Sequence, residues 1–577
     1  MEAVAGRLTA RPEIMSRRLG ALVCFACAAA ILAVLVLRRG DDAGVPALTV
    51  YCAAGLKKPV EAVAAAYRRE YGAEVNLQYG GSGTLLGQIE VARRGDLFIA
   101  ADEGSLADAA RRKLVAESVP LVSQRSVVAV RTGNPRAVRS LADLARADVR
   151  LGLANPEAAS ISRVSQRLLG DAWSGLVAKA VVMKPTVTEL AADLQLDAID
   201  AAIVWDGVAR QFPGLEAVDI PELAAHREPA AAAVLSVCRD PAAALRFARY
   251  LAAPDKGGRI FADCGFTPAG GDAWAARPAL VLYSGGVNRL ALEPVLEEFS
   301  AREGVDITTV YNGCGILCAA MKAMQDTTHP KFPDVYYACD VCFVPPVAEH
   351  FPEAVLLTET SIVIAVPEGN PAGIRTLADL ARDGLRVGLC NAEQSTLGFM
   401  TAAMLRQTGL LAGVRKNVVV EVPTADFLVN QMRAGSLDAI VVYEVNVAAH
   451  PERFDTIPLP AEYAKAVQPF AVRKDSPHAR LAARLLTFLR SRGAAFAAVG
   501  FRPRPDAQAI PSGQLEVPPW LEQKAAPDKA AAPDAAPDAA PDPGPRLPAP
   551  ASSAAPPGRS GDREGNGRPS SPTASAA

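Results

Sequence analysis

Histidine is nearly absent from this chain: five residues in 577, scattered, with no HxH or HExxH spacing. That excludes the metal centres such spacings build. Aromatic residues make up only 6% of the sequence, and the formal net charge is −2. With so little net charge there is no global field to draw in nucleic acid or an acidic partner. A phosphate loop of the GxxxxGK[ST] kind is missing, as is any nucleophile–base constellation or carboxylate pair with a rationale. Nothing here points to an enzyme or to a cofactor. What remains is a chain that is 50% hydrophobic and rich in alanine, as expected of helix-rich α/β proteins.

The sequence is written twice. Gly133-Asn134-Pro135, Leu141 to Arg146 (LADLAR) and Gly152 to Asn155 return as Gly369-Asn370-Pro371, Leu377 to Arg382 and Gly388 to Asn391, at one constant offset. Tyr51 and Tyr283, Asp96 and Asp334, Trp205 and Tyr443 recur at nearly the same distance. Solenoid units run to roughly 20–50 residues, so this period marks a duplicated domain, each copy large enough for its own core.

The two ends are different material. Leu19 to Leu37 is an apolar run without charge. At about 1.5 Å per residue it reaches roughly 28 Å, close to the thickness of a bilayer's hydrocarbon core. Arg7, Arg11, Arg17 and Arg18 precede it, which favours a cytoplasmic N-terminus over residues 1–18. The run reads as a transmembrane anchor or a cleaved signal, and both place the body outside the cytoplasm. Residues 520–577 are Ala-, Pro- and Asp-rich with few large apolar side chains, the composition of a disordered tail.

Within the first copy, Ala47 to Cys52, Val75 to Tyr79 and Asp96 to Ala101 read as strands. Helical spacing lies between them at Val60 to Tyr71 and from Leu85 to Ala92. The later part alternates in the same way through Ser126 to Arg131, helices at 139–147, 160–170 and 187–196, and strands at 149–154, 179–183 and Ala201 to Trp205. Loops of Ala, Gly and Ser where strands feed helix N-termini make an anion cradle without Lys or Arg. Two α/β lobes joined by more than one crossing form a clamshell, with a ligand between them.

The segments YCAAGL, YGGSGTLLGQIE and DLFIAAD, followed by GNP, LADLA, LANP and AIVW, resemble the periplasmic molybdate-binding proteins, type II solute-binding proteins of ABC transporters. The resemblance covers residues 47–268 closely and 279–503 more loosely. It implies tandem type II periplasmic-binding-protein clamshells, at 47–270 and 279–505, after one N-terminal membrane helix. It also implies an oxyanion of the molybdate or tungstate kind as solute, an ABC transporter permease as partner, and no catalysis.

The family holds its tetrahedral anion with neutral donors: two serine hydroxyls, backbone N–H groups and a tyrosine hydroxyl. Carried over by position, the first serine falls on Gly55 and Val287, the second on Ser82 and Cys314. The backbone donors fall on Ala154 and Cys390 and on Val187 and Ala425, and the tyrosine on Trp205 and Tyr443. The first copy therefore keeps one serine and has an indole for the phenol. The second keeps the tyrosine and neither serine. A different small solute, or a sensory or scaffold role with degenerate clefts, stays open. Asp206 and Glu444, each following the aromatic, are expected to face solvent.

Cys314, Cys318, Cys339, Cys342 and Cys390 all lie in the second copy. Disulfides, expected outside the cytoplasm, are one reading, and Cys238 with Cys264 is a further pair in the first copy. A soft-metal thiolate site on Cys314, Cys318, Cys339 and Cys342 is another. Unpaired cleft thiols are the third.

Overall fold

The computed structural model describes residues 47–522 except 325 and 518. The expected anchor at Leu19–Leu37 and nearly all of the expected tail lie outside the described residues. Among the described residues no helix is long and apolar enough to cross a membrane.

The first copy has ten strands: β1 (Leu48–Ala53), β2 (Val75–Gly80), β3 (Leu97–Ala100), β4 (Val115–Arg131), β5 (Leu151–Ala154), β6 (Ala180–Lys184), β7 (Ala201–Trp205), β8 (Leu215–Val218), β9 (Arg227–Leu235) and β10 (Thr267–Pro268). They run in the order β2-β1-β3-β9-β4-β7-β5-β6, with β8 and β10 paired to β4. Strands β1 and β3 are buried on both faces, as β-branched and apolar runs covered by helices must be. The long β4 joins the lobes. Arg125 is its last residue paired with β9 and Ser126 its first paired with β7. The sequence reading began this strand only at Ser126. Its first half reads Val-Ala-Glu-Ser-Val-Pro, with Ala, Glu and Ser between the valines and Pro120 at its end, and the register shifts between Pro120 and Val122, so no β-branched run marks the strand there.

The second copy repeats the plan with β11 (Ala279–Gly285), β12 (Asp306–Asn312), β13 (Val335–Tyr337), β14 (Glu353–Pro367), β15 (Val387–Cys390), β16 (Val418–Val422), β17 (Ala439–Tyr443), β18 (Phe454–Pro458) and β19 (Lys465–Val472). Their order is β12-β11-β13-β19-β14-β17-β15-β16, the same path strand for strand. Here β14 is the lobe-crossing strand, pairing with β19 and β17.

The copies meet through a buried ion cluster. Arg249 of the first donates to Glu303 of the second through Nη1, at 2.7 Å to the carbonyl and 3.1 Å to Oε2. Arg484 donates to the same carboxylate at 2.8 and 3.1 Å. Arg249 and Glu303 expose only 8% and 3% of their side chains, so these bonds are shielded from water and from salt.

Candidate solute-binding clefts

Both copies close their lobes on glycines. Gly83 N–H donates to Ala158 O across the first cleft at 2.9 Å. At Gly81 a Cβ would lie 2.3 Å from the Ala158 carbonyl, and at Gly313 one would lie 2.1 Å from that of Gln394. Only glycine lets the facing turn approach so closely. Side chains also bridge the first cleft: Arg163 Nη2 donates to Ser105 Oγ at 2.6 Å, and Gln211 Nε2 to Gly55 O at 3.2 Å.

The first cleft holds a partly open pocket of about 20 Å³, lined by Gly55, Ser82, Val187 and Trp205 together with Ala53, Ala54, Gly80, Gly81, Ala101, Ala159, Ser160, Ile161 and Thr186. No lining side chain is charged. Ser82, Ser160 and Val187 are each the first residue of a helix, Ser82–Ala92, Ser160–Leu169 and Val187–Gln195. Gly55 sits in the 3-10 turn Ala54–Leu56 that leads into the helix Lys57–Tyr71. Backbone N–H groups at such positions have no intrahelical acceptor, and the helix dipoles add positive potential. Ser82 Oγ accepts from Ala101 N–H at 3.3 Å. Its own proton therefore remains to be given to a ligand.

Four of the five expected first-copy residues thus share one cavity, and Ala154 does not line it. The last residue of β5, it pairs with Lys184, and its carbonyl accepts from Ser162 Oγ at 2.5 Å. The turn after it carries the chain back to the cleft at Ala159 and Ser160. Ser160 was missed in the sequence reading; a serine opening a helix five residues after Asn155 was the available signal. At Gly55 an added Cβ would lie 3.2 Å from Val208 Cγ2, 3.3 Å from Val187 Cγ2 and 3.5 Å from Trp205 Cδ1. The larger indole and two valines occupy the space around a missing side chain.

Asp206 departs from expectation. It is buried, and its Oδ1 accepts from Arg125 N–H at 3.2 Å and Gly207 N–H at 2.9 Å. Backbone donors and the Arg125 guanidinium, 3.6 Å away, hold its charge at the lobe crossing. Glu444 is half-buried.

In the second copy Val287, Cys314, Cys390, Ala425 and Tyr443 are all buried and occupy the matching places in the fold. Cys314 opens the helix Cys314–Met324, and Cys339 N–H donates to its sulfur at 3.2 Å. Burial raises the Cys314 thiol, but donors facing it, the Cys339 thiol and the Thr396 hydroxyl foremost, outweigh burial and hold it below the ordinary thiol range. Burial pushes Cys390 up to about 12. The Tyr443 hydroxyl is buried and has no well-formed hydrogen bond among the described residues.

The eight described cysteines are free thiols, so the expected disulfides are not formed, Cys238–Cys264 included. Cys238 gives its thiol instead to Asp96 Oδ1 at 3.3 Å. Cys318 lies one helical turn behind Cys314 and turns to Phe343 O at 3.4 Å. Among the described residues no three His, Cys, Asp or Glu side chains converge to hold a metal, so the four-thiolate arrangement is not assembled.

A family model of bacterial extracellular solute-binding proteins matches residues 48–267 and again 280–502. The chain belongs to that family. It carries two tandem solute-binding segments, as its internal repeat requires, and the family is one of binding proteins. A Haemophilus influenzae protein described as a binding protein is 29% identical over 225 residues, 38% of this chain and 91% of that protein. The molybdate-binding protein ModA of Mycobacterium tuberculosis is 26% identical over 230 residues, 39% of this chain and 87% of its own length. Among solved structures, the periplasmic molybdate-binding protein of Azotobacter vinelandii is 18% identical, with a TM-score of 0.34, over 38% of this chain and 98% of that one. The sulfate-binding protein SubI of Mycobacterium tuberculosis is 19% identical, with a TM-score of 0.32, over 39% and 87%.

Proposed function

We propose that this solute-binding protein captures a small tetrahedral oxyanion, of the molybdate or tungstate kind, in its first cleft and delivers it to an ABC transporter permease. The observation that carries the reading is the lining of that cleft: helix N-termini and two serines, with no charged side chain. A desolvated dianion is best matched by several preorganised N–H and O–H donors, and added cationic side chains are not needed. A pocket of about 20 Å³ between the lobes excludes an extended organic solute. The likeness to a molybdate-binding relative adds support.

In this reading Gly55, Ser82, Ser160, Val187 and Trp205 line the working site, with Ala154 holding the turn behind it. The binding domains, at 47–270 and 279–505, lie outside the cytoplasm, tethered through Leu19–Leu37, with 520–577 as a tail. Closure of the lobes on the anion presents the shape a permease recognises.

A thermal-shift series on the full-length protein with molybdate, tungstate, sulfate, phosphate and thiosulfate tests this. A shift with one oxyanion that Ser82→Ala removes is the expected result. No shift with any of the five overturns the oxyanion reading.

A further inference from the structure

The second cleft differs from the first at the positions where chemistry would be done. Where the first copy has Ser82, Ala101, Ser160 and Trp205, the second has Cys314, Cys339, Thr396 and Tyr443. Cys314 and Cys339 are buried, at 0% and 5% exposure, and Cys339 N–H meets the Cys314 sulfur at 3.2 Å. That contact brings the two cysteines, from different elements, together at the cleft. Two further polar groups are buried here: Tyr443 OH, at 2% residue exposure, has no well-formed hydrogen bond among the described residues, and Thr396 Oγ1, at 0%, faces the two cysteines. A cleft built this way offers an anion one good donor fewer than Ser82 gives, because a thiol is a weak donor. It offers a thiophilic ligand two sulfurs.

Which ligand follows from the number of ligating groups. Zinc and thiolate-bound clusters take four protein ligands, or three with an open position. Among the described residues no three His, Cys, Asp or Glu side chains converge. A pair of sulfurs suits a soft monovalent ion, which thiolates select over harder cations. We propose that the second cleft binds a soft monovalent d10 cation, cuprous ion being the probe of choice, between the sulfurs of Cys314 and Cys339.

Binding forms two metal–sulfur bonds and releases two protons from the two thiols. The oxidation states do not change, and the complex keeps one net negative charge. That charge sits at the N-terminus of the helix Cys314–Met324, beside the Cys339 N–H and the Thr396 hydroxyl, donors that stabilise a thiolate. The inference rests on reading both clefts as solute sites. It stands apart from the oxyanion assignment, because that assignment concerns Ser82 and the first copy.

The test is anaerobic titration of the reduced full-length protein with Cu(I) against a chromophoric Cu(I) chelator. One equivalent per chain is expected to transfer to the protein. Cys314→Ser and Cys339→Ser should each weaken this at least 100-fold, while Cys238→Ser and Ser82→Ala keep it. Thermal melts of the metal-free variants check folding. X-ray absorption at the copper edge on the unaltered protein should report two sulfur neighbours whatever the variants do. Failure to compete with the chelator overturns the proposal, as does transfer unchanged in both cleft variants or a copper edge reporting four sulfurs or nitrogen neighbours. A Cys314–Cys339 disulfide in protein isolated without reductant also overturns it. An oxyanion response that depends on Ser82 survives any of these outcomes.

Discussion

Cys339 donates its backbone N–H to the sulfur of Cys314 at 3.2 Å, the contact that Ala101 makes to the hydroxyl of Ser82 at 3.3 Å in the first copy. This backbone contact is therefore kept in both copies, and what differs is the atom that receives the bond. An oxygen so held has a strong O–H left to give. A sulfur so held has a weak S–H and a nucleophilic, metal-seeking lone pair. One scaffold presents two chemistries.

Ser82→Ala should weaken oxyanion binding by about 10- to 150-fold, the loss of one hydrogen bond to a charged ligand, about 1.5–3 kcal/mol. Calorimetric titration reads this, with an unchanged melt as control. Equal affinity in the variant would remove Ser82 from the site.

Restoring a serine at Gly55 should fail alone and succeed in combination. Its Cβ would press on Val187 and Val208 at 3.2–3.3 Å and lie 3.5 Å from Trp205. Gly55→Ser is expected to destabilise the first copy by about 1–3 kcal/mol. Adding Val208→Ala removes the nearest contact and relieves the crowding, so the double variant should bind the anion more tightly than either single one. A double-mutant cycle with no coupling would contradict this.

Arg163 bridges the closed lobes through its bond to Ser105 at 2.6 Å. Arg163→Ala should cost closure about 0.5–1.5 kcal/mol. Because the residue does not line the cavity, the effect should appear as faster ligand release in stopped-flow measurements, with little change in the on-rate. A slower release would show that the bridge opposes closure.

Asp200 gives a pH signature. Hydrogen bonds from Arg150 hold its carboxyl well below the usual carboxylate range, with Arg136 adding attraction. A depressed folded pKa means stability that is complete above the unfolded value, about 3.9, and lost as pH falls below it. Asp200→Asn should therefore be markedly less stable than the parent at pH 7, with the gap narrowing at pH 3. A gap independent of pH would assign the effect to packing alone.

Glu303 joins Arg249 and Arg484 at the junction of the copies. Glu303→Ala leaves the buried Arg249 without its carboxylate, holding only the backbone carbonyl, at a cost of about 3–5 kcal/mol. Urea unfolding followed by fluorescence should show a lower first midpoint and a split transition. A single unshifted transition would mean the ion cluster contributes nothing to coupling the copies.

The fold was largely legible in the sequence because duplication supplied its own control. GNP, LADLA and the strand-ending aromatics mark the same places twice, and β7 lies at Ala201–Trp205, as its apolar run predicts. Strand β4 shows in the sequence only from Ser126, since Pro120 and the Ala-Glu-Ser stretch before it interrupt the β-branched run of a strand that pairs in both lobes. The site was legible in part. Position carried Gly55, Ser82, Val187 and Trp205 into one cavity, whereas Ala154 turned its carbonyl to Ser162 and Ser160 took the place beside the cleft.

By itself the sequence determined the repeat, the α/β alternation and the family, because these depend on periodicity and on short motifs whose chemistry is local. Only the tertiary structure decided which groups face each other. It set Cys339 rather than Cys318 against Cys314, buried Asp206 against Arg125, and fitted an indole around Gly55. Each of these contacts joins residues on different elements, and their approach is fixed by how closely lobes and helices pack, which no spacing along the chain encodes.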